Sequence, residues 1–322
     1  MMDETGKVLD IVTIGESMLR FTPPPPQALE QSPYFEVRVG GSEMNLAITA
    51  ARMGLHTAWI SKLPNNPLGR RVARSAQEHG VNTGQVVWSS EGRVGVYFIE
   101  SGESPRRRDT YYDRADSTFT TLAPEEVDWA YVRSGRLFHF SGITLALGDL
   151  PRRVVRRALE QAAGTDQLVS FDLNYRAKLW SAAEARKAVE SVLPAVDIFC
   201  SGLEDARAVL GIAGEASEAA QQLFERYSPQ VAIITDEARM AAAFDGRLHT
   251  STPRPVQVVD RIGAGDAFMG GFLVGYLEGG VKLGLEMGTA LGALKLTYLG
   301  DVPWCTRAEV LAFMDDRQPP TR

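Results

Sequence analysis

Cysteine is nearly missing: Cys200 and Cys305 are the only two in 322 residues. Both sit beside apolar residues, so they are expected as reduced, buried thiols of a cytoplasmic protein and not as a disulfide framework. Four histidines without metal-ligand spacing argue against a transition-metal centre. No apolar run reaches the roughly 18–20 residues that a membrane-crossing helix needs. The opening "MMDETGKVLDIV" is acidic and lacks a signal-peptide core. Basic excess is lacking as well. Lys and Arg total 34 against 40 Asp and Glu, a net charge of −6, which offers no electrostatic footprint for nucleic acid or an anionic membrane. After the first apolar stretch, "TIGESM" has no Gly–x–Gly–x–x–Gly, which disfavours a dinucleotide-dependent dehydrogenase.

What is present suits a globular chain with a real core, since 44% of the residues are hydrophobic and 23% charged. Strand-like and helix-like segments alternate. "DIVTIGE", "TAWISKL", "RLFHFSGI", "LVSFDLN", "VDIFCSG" and "VAIITD" read as short buried strands. Between them "SEMNLAITAARMG" and "LGRRVARSAQEHG" carry helical periodicity and end on glycine. Ser181 with Glu184, and Thr306 with Glu309, match the capping box of a helix start. The alternation predicts an α/β fold: a mostly parallel sheet with helices on both faces. Two β-rich stretches without helix, about residues 17–40 and 92–121, interrupt a core spanning 8–315. They predict a small β-sheet beside that core, placed to act as a lid that excludes water. The arginines at 106–108 read as a solvated loop, and no internal repeat is visible.

"VVDRIGAGDAFMGGF" (258–272) puts Gly263, Ala264 and Gly265 directly before Asp266 and an apolar run. Val256, Val258 and Val259 before it predict a strand, and the apolar run predicts a helix. A glycine turn at a helix start leaves backbone N–H groups pointing one way, which makes an anion site aided by the helix dipole. An acid beside an anion site makes sense as a base acting on a nucleophile that attacks the anion. The plainer alternative is a β–α turn with a carboxylate favoured by the dipole.

"VGGSEMNLAITAARMGL" near the front and "DRIGAGDAFMGGFL" near the back, in this order on an alternating α/β chain, resemble the two characteristic regions of the PfkB (ribokinase-like) carbohydrate kinases. "PNNPLGRRVARSAQEHGV", "FDLNYRAKLW" and "CSGLEDARAVLG" are similar to intermediate landmarks of that family, with Ser201 where Asn is usual. The resemblance spans nearly the whole chain and implies a three-layer α/β/α ribokinase-like core with a β lid. Within the family, "GVYFIESGESPRRRDTYYDRADS", Arg261 in "DRIGAGD", and "LKLTYLGDVPW" are similar to 2-keto-3-deoxygluconate kinases.

The resemblance implies ATP-dependent phosphorylation of a sugar hydroxyl, with Mg²⁺, and leaves a monovalent cation open. A hydroxyl needs a base as it attacks the γ-phosphate, and Asp266 is that candidate, with Gly263, Ala264 and Gly265 holding the transferring phosphoryl group. Gly40, Gly41 and Asn45 are the candidate sugar contacts at the first helix start, joined by Tyr97, Tyr112 and Arg114 from the lid and by Asp301. Arg176 could grip a substrate carboxylate in bidentate fashion. By resemblance, Asn174 and Arg176 lie near the nucleotide phosphates, and Glu204 orients Mg²⁺-bound water. After Thr235 the family carries a Thr–x–Gly–x–x–Gly loop. This chain has Glu237 and Met240 at those glycine positions, which predicts weakened ATP binding. The expected partners are a small sugar or sugar acid and ATP, with no nucleic acid or membrane. Lids of this family often pair between subunits, which suggests a homodimer. The alternatives are a kinase of another sugar (fructose, ribose or a nucleoside) and a sugar-binding member with weak or lost nucleotide turnover.

Overall fold

The computed structural model describes residues 9–100 and 109–315. The arginines at 106–108 and the middle of the second interruption lie outside the described residues. Fourteen strands are formed among the described residues: β1 (Leu9–Ile14), β2 (Met18–Thr22), β3 (Glu36–Gly40), β4 (Thr57–Ile60), β5 (Lys62–Pro64), β6 (Val87–Ser89), β7 (Val96–Glu100), β8 (Asp109–Asp113), β9 (Gly135–Ser141), β10 (Leu168–Asp172), β11 (Ile198–Gly202), β12 (Val231–Thr235), β13 (Met240–Phe244) and β14 (Arg247–Ser251). Eight of them make one sheet in the order β14-β13-β12-β11-β10-β9-β1-β4. Pairing is parallel from β4 across to β12, and β13 and β14 add an antiparallel edge.

The apolar runs of the central strands follow from burial on both faces. Val12, Ile14, Phe138, Phe140, Phe171 and Phe199 point to one face, where they meet helices Asp149–Ala162, Ala182–Val192 and Ala216–Tyr227. Ile11, Leu137, Ile198, Cys200 and Ile233 point to the other, against helices Ser42–Arg52, Ala264–Gly279 and Val281–Lys295. Four phenylalanines form a column across β9, β10 and β11. Ring centroids are 5.7 Å apart for Phe138–Phe140, 4.8 Å for Phe140–Phe171 and 5.6 Å for Phe171–Phe199. On the opposite face, helices 264–279 and 281–295 approach until backbones touch. A Cβ on Gly271 would lie 2.9 Å from Met287 O, and one on Gly288 would lie 2.7 Å from Phe268 O. The helix that starts at the glycine turn is thereby clamped along its length.

The capping boxes at Ser181/Glu184 and Thr306/Glu309 are formed as expected, and both cysteines are free and buried. Two expectations need correction. Val256–Val259 is not a strand: Pro253 and Pro255 have no N–H to give a ladder. The segment instead ends with Val259 N and Asp260 N bonded to Leu296 O, at 2.7 and 3.1 Å. "TAWISKL" is two strands, because the chain leaves the large sheet after Ile60 and pairs β5 with β6 instead.

A separate four-stranded sheet has the order β3-β2-β7-β8. Phe21 and Phe98 stack at 5.3 Å on it, with Phe35 at 6.3 and 6.1 Å from them. Among the described residues no helix is long and apolar enough to cross a membrane. Phe171 is fully buried at the centre of the aromatic column. Phe171→Ala should therefore cost about 3–5 kcal/mol of folding stability, read as a lowered urea midpoint at unchanged slope.

Candidate active site

Asp266 stands in the first turn of helix Ala264–Gly279, behind the N-cap Gly263. Gly263 has φ +82°, and a Cβ there would lie 1.8 Å from Asp301 O, so both conformation and space demand glycine. A Cβ on Gly265 would meet nothing within 4 Å, which leaves that side of the helix start open to a groove. Both Asp266 oxygens are engaged: Ser42 Oγ donates to Oδ1 and Asn45 Nδ2 donates to Oδ2, each at 2.7 Å. Asn174 Nδ2 donates to Ser42 Oγ at 2.8 Å, so a chain of three polar side chains fixes the carboxylate. Burial raises the Asp266 pKa above its ordinary value, while the Asn45 and Ser42 hydrogen bonds pull it down.

Two concavities flank the start of this helix, the smaller at Gly263 and Asp266 and the larger at Ala264 and Gly265. The smaller, about 70 Å³, is lined by Gly40, Gly41, Asn45, Tyr97, Tyr112, Arg114, Arg176, Asp266 and Asp301. It gathers every residue expected to contact the sugar. Gly40 is required by crowding, since a Cβ would lie 2.2 Å from Asp301 Oδ2 and 2.3 Å from Tyr97 OH. Asp301 is buried with Arg20 Nη1 at 2.8 Å and Tyr97 OH at 2.6 Å. Tyr97 stacks on Tyr112 at 6.0 Å. The larger groove, about 630 Å³, is lined by Thr235, Glu237, Met240, Arg261, Ala264, Gly265, Gly292 and Ala293, among others. Asn174 and Arg176 do not line it. Asn174 turns to Ser42, and Arg176 opens into the smaller pocket.

Sequence reasoning missed several residues. Glu16, only 4% exposed, lines the small pocket and accepts from Arg114 Nε at 2.9 Å and from Arg114 Nη2. Its Oε1 is buried without a partner and is therefore an acceptor in want of a donor. Arg20 bridges Asp260 and Asp301. Asp205 lines the larger groove, and Asp172 lies close enough to Asp205, Asp266 and Arg176 to feel their charge. Burial, then the carboxylates of Asp266 and Asp205, push Asp172 up to about 8, and burial raises Asp205. The neighbouring Glu204 is exposed and paired with Arg207 at 2.5 Å. Glu16, Asp172 and Asp205 all stand at or just past the carboxyl ends of strands of the large sheet, where a sheet-edge argument could have found them. Among the described residues no cluster of three or more His, Cys, Asp or Glu is placed to hold a metal by itself.

A family model described as pfkB family carbohydrate kinase matches residues 8–306. The chain belongs to this family. It is an ATP-dependent carbohydrate kinase with the ribokinase-like α/β fold. It is 39% identical over 303 residues to the 2-dehydro-3-deoxygalactonokinase of Haloferax volcanii, covering 94% of this chain and 95% of that protein. It is 30% identical to the 2-dehydro-3-deoxygluconokinase of Thermoproteus tenax, over 83% of this chain and 81% of that one. The crystal structure of 2-dehydro-3-deoxygluconokinase from Thermotoga maritima superposes with a TM-score of 0.91 at 34% identity, over 95% of this chain and 98% of that one.

The electrostatics make a kinase-specific prediction. If Asp266 is the base, its protonation stops transfer, so kcat/KM should fall as pH drops through a pKa above the ordinary aspartate value of about 3.9. Asn45→Ala deletes a hydrogen bond that favours the charged form, so its acid limb should move to higher pH than the wild type's. An unshifted or lowered limb would show that Asn45 does not tune the titrating group.

Proposed function

We propose that this kinase transfers the γ-phosphoryl group of ATP to a hydroxyl of a six-carbon 2-keto-3-deoxy sugar acid, of gluconate or galactonate configuration. The observation that carries the acidic substrate is Arg176. It is exposed at the rim of the small pocket and makes no ion pair among the described residues. A carboxylate on the sugar would supply the ion pair that this cation lacks. Arg114 adds a second one, although Glu16 already satisfies part of its guanidinium. The names of the similar kinases agree with this class of substrate.

In this reading the sugar lies over Gly40 and Gly41 with its reacting hydroxyl at Asp266. Asn45 and Ser42 hold the carboxylate so that a lone pair faces that hydroxyl. Asp266 takes the proton as the sugar oxygen bonds to phosphorus, and the bond to the ADP oxygen breaks. The backbone N–H groups at Gly263–Gly265 meet the charge that develops on the phosphoryl oxygens. Thr235, Glu237 and the wall from Gly292 to Ala293 enclose the nucleotide. The small sheet carrying Tyr97, Tyr112 and Arg114 serves as the lid over the sugar and as a dimer surface.

Mg²⁺ fits the acidic side of the groove, where burial above all, and then neighbouring carboxylates, raises the pKa values of Asp172 and Asp205. Glu204 and Asp205 both line the groove. Glu204 is exposed and paired with Arg207, and Asp205, the more buried of the two, is the better partner for Mg²⁺-bound water. The ion would neutralise the phosphates it arrives with.

Three measurements test the reading. Asp266→Asn should lower kcat by about 10²–10⁴-fold with sugar and ATP affinities nearly intact; retention of half the wild-type rate would exclude it as the base. With ADP release followed over a panel of sugars, the 2-keto-3-deoxy acids should be preferred. Arg176→Ala should then raise their KM by the roughly 1.5–3 kcal/mol of a charge-assisted contact. A wild type that prefers fructose, or an unchanged KM, removes the acidic-sugar assignment. In the nucleotide groove, Glu237 pairs with Arg261 at 2.9 Å across exposed surface. ATP must compete with that carboxylate for Arg261. Glu237→Gly should tighten ATP binding by the ~0.2–1 kcal/mol typical of an exposed pair, measured by calorimetry. An unchanged Kd would mean that ATP never meets this pair.

A further inference from the structure

Lys295 ends helix Val281–Lys295 and is fully buried, yet no step of the proposed transfer uses it. Its ammonium meets backbone carbonyls: Asp260 O at 2.9 Å and Tyr298 O at 3.4 Å. It therefore ties together two segments that border the transfer site, the Asp260–Gly263 turn and the loop that leads to Asp301. The charged groups facing it are Asp260 from the turn, Asp301 from the loop, Arg20 from β2 and Asp266 from the helix start.

The turn depends on this corner. Asp260 Oδ1 accepts from Ile262 N and Oδ2 from Gly300 N, each at 3.1 Å. Asp301 O lies directly under Gly263. Because Lys295 draws the Asp260 carbonyl inward, the trans peptide turns the N–H of Arg261 the opposite way, out of the core. A buried ammonium is an expensive way to hold two loops, since an apolar side chain carries no desolvation penalty. Burial lowers the Lys295 pKa to about 8. The folded value is below the unfolded one, so the unfolded chain binds more protons between the two, and folding stability rises with pH across that window. The charged form thus weakens the fold at neutral pH, which argues that the charge is kept for the site.

We propose that Lys295 is a positioning residue for phosphoryl transfer, an internal cation whose ammonium locks the Asp260–Gly263 turn and the Asp301 loop in the geometry that the anion-binding helix start requires. The proposal rests on the reading of Gly263–Asp266 as the transfer site. With this cation built in, transfer needs no added monovalent ion.

Lys295→Met keeps the length of the side chain and removes the charge. The full-length variant should bind the sugar acid with Kd within about threefold of wild type while kcat falls by about 10–100-fold, the scale of an ångström-sized misplacement. Ammonium chloride should restore a severalfold share of kcat by placing a cation in the vacated corner. Sodium chloride at equal ionic strength should not, and neither salt should stimulate the wild type. A folded variant with wild-type kcat overturns the proposal, as does a loss that ammonium leaves untouched. Should Lys295→Met fail to fold, the wild type decides. Its kcat should decline as pH rises through about 8 while sugar Kd holds, and a flat kcat from about pH 7 to pH 10 overturns the proposal. Failure of the underlying reading has a different mark: Asp266→Asn would retain the rate whatever Lys295→Met does.

Discussion

The guanidinium of Arg20 joins the parts of this molecule that must act together. It leaves the small sheet from β2, is 3% exposed, and reaches Asp260 at 2.6 Å and Asp301 at 2.8 Å. Asp260 begins the glycine turn, and Asp301 forms a wall of the small pocket and supports Gly263 from below. One planar cation with a fixed fork of donors therefore sets the small sheet, the helix start and the C-terminal loop in register. The two carboxylates hold Arg20 charged by raising its pKa, although burial opposes them. Removing Arg20 would strand two buried carboxylates, which is far costlier than losing an exposed pair.

Around this corner the charges alternate at short range. Arg114 answers Glu16, Arg20 answers Asp260 and Asp301, and Lys295 sits under the turn. Among the described residues Asp266, Asp172 and Asp205 have no such direct cationic partner, and burial raises the pKa of all three. The unbalanced negative charge is concentrated around the helix start, with Asp266 on the small pocket and Asp205 on the groove. Arg176 is the nearby side chain that opposes it, lowering the pKa of each of the three carboxylates. A site in this condition favours cations on the groove side and keeps a carboxylate ready to accept a proton on the pocket side.

Rigidity reaches the site from the packing behind it. Helix 264–279 is held on one side by helix 281–295 at backbone contact and on another by helix 42–52, where a Cβ on Gly270 would lie 2.8 Å from Thr49 Cβ. Ser42 and Asn45, which hold Asp266, belong to the first turns of that same helix 42–52. Base and supports are thus carried by two elements packed directly on each other, and little freedom remains in the geometry between them.

Local chemistry made much of this legible. Alternating apolar runs gave the strands, the Ser181 and Thr306 capping boxes gave helix starts, and a glycine turn before an acid marked Asp266 as a candidate base at a helix start. Such signals act over a few residues, so they survive in the linear chain. The false strand at Val256–Val259 came from the same kind of reasoning: β-branched residues were present, but Pro253 and Pro255 removed the donors a ladder needs. What the chain by itself determined was the α/β class, the family and the helix start with its acid. Tertiary structure alone decided that Arg20 meets Asp260 and Asp301, 240 and 281 residues away. It also decided that Glu16 meets Arg114, that Lys295 faces inward, and that Asp205 joins Glu204 in lining the groove. Those are pairings of buried charges, and which charge is buried beside which depends on how the sheets and helices close, a property no short stretch of sequence contains.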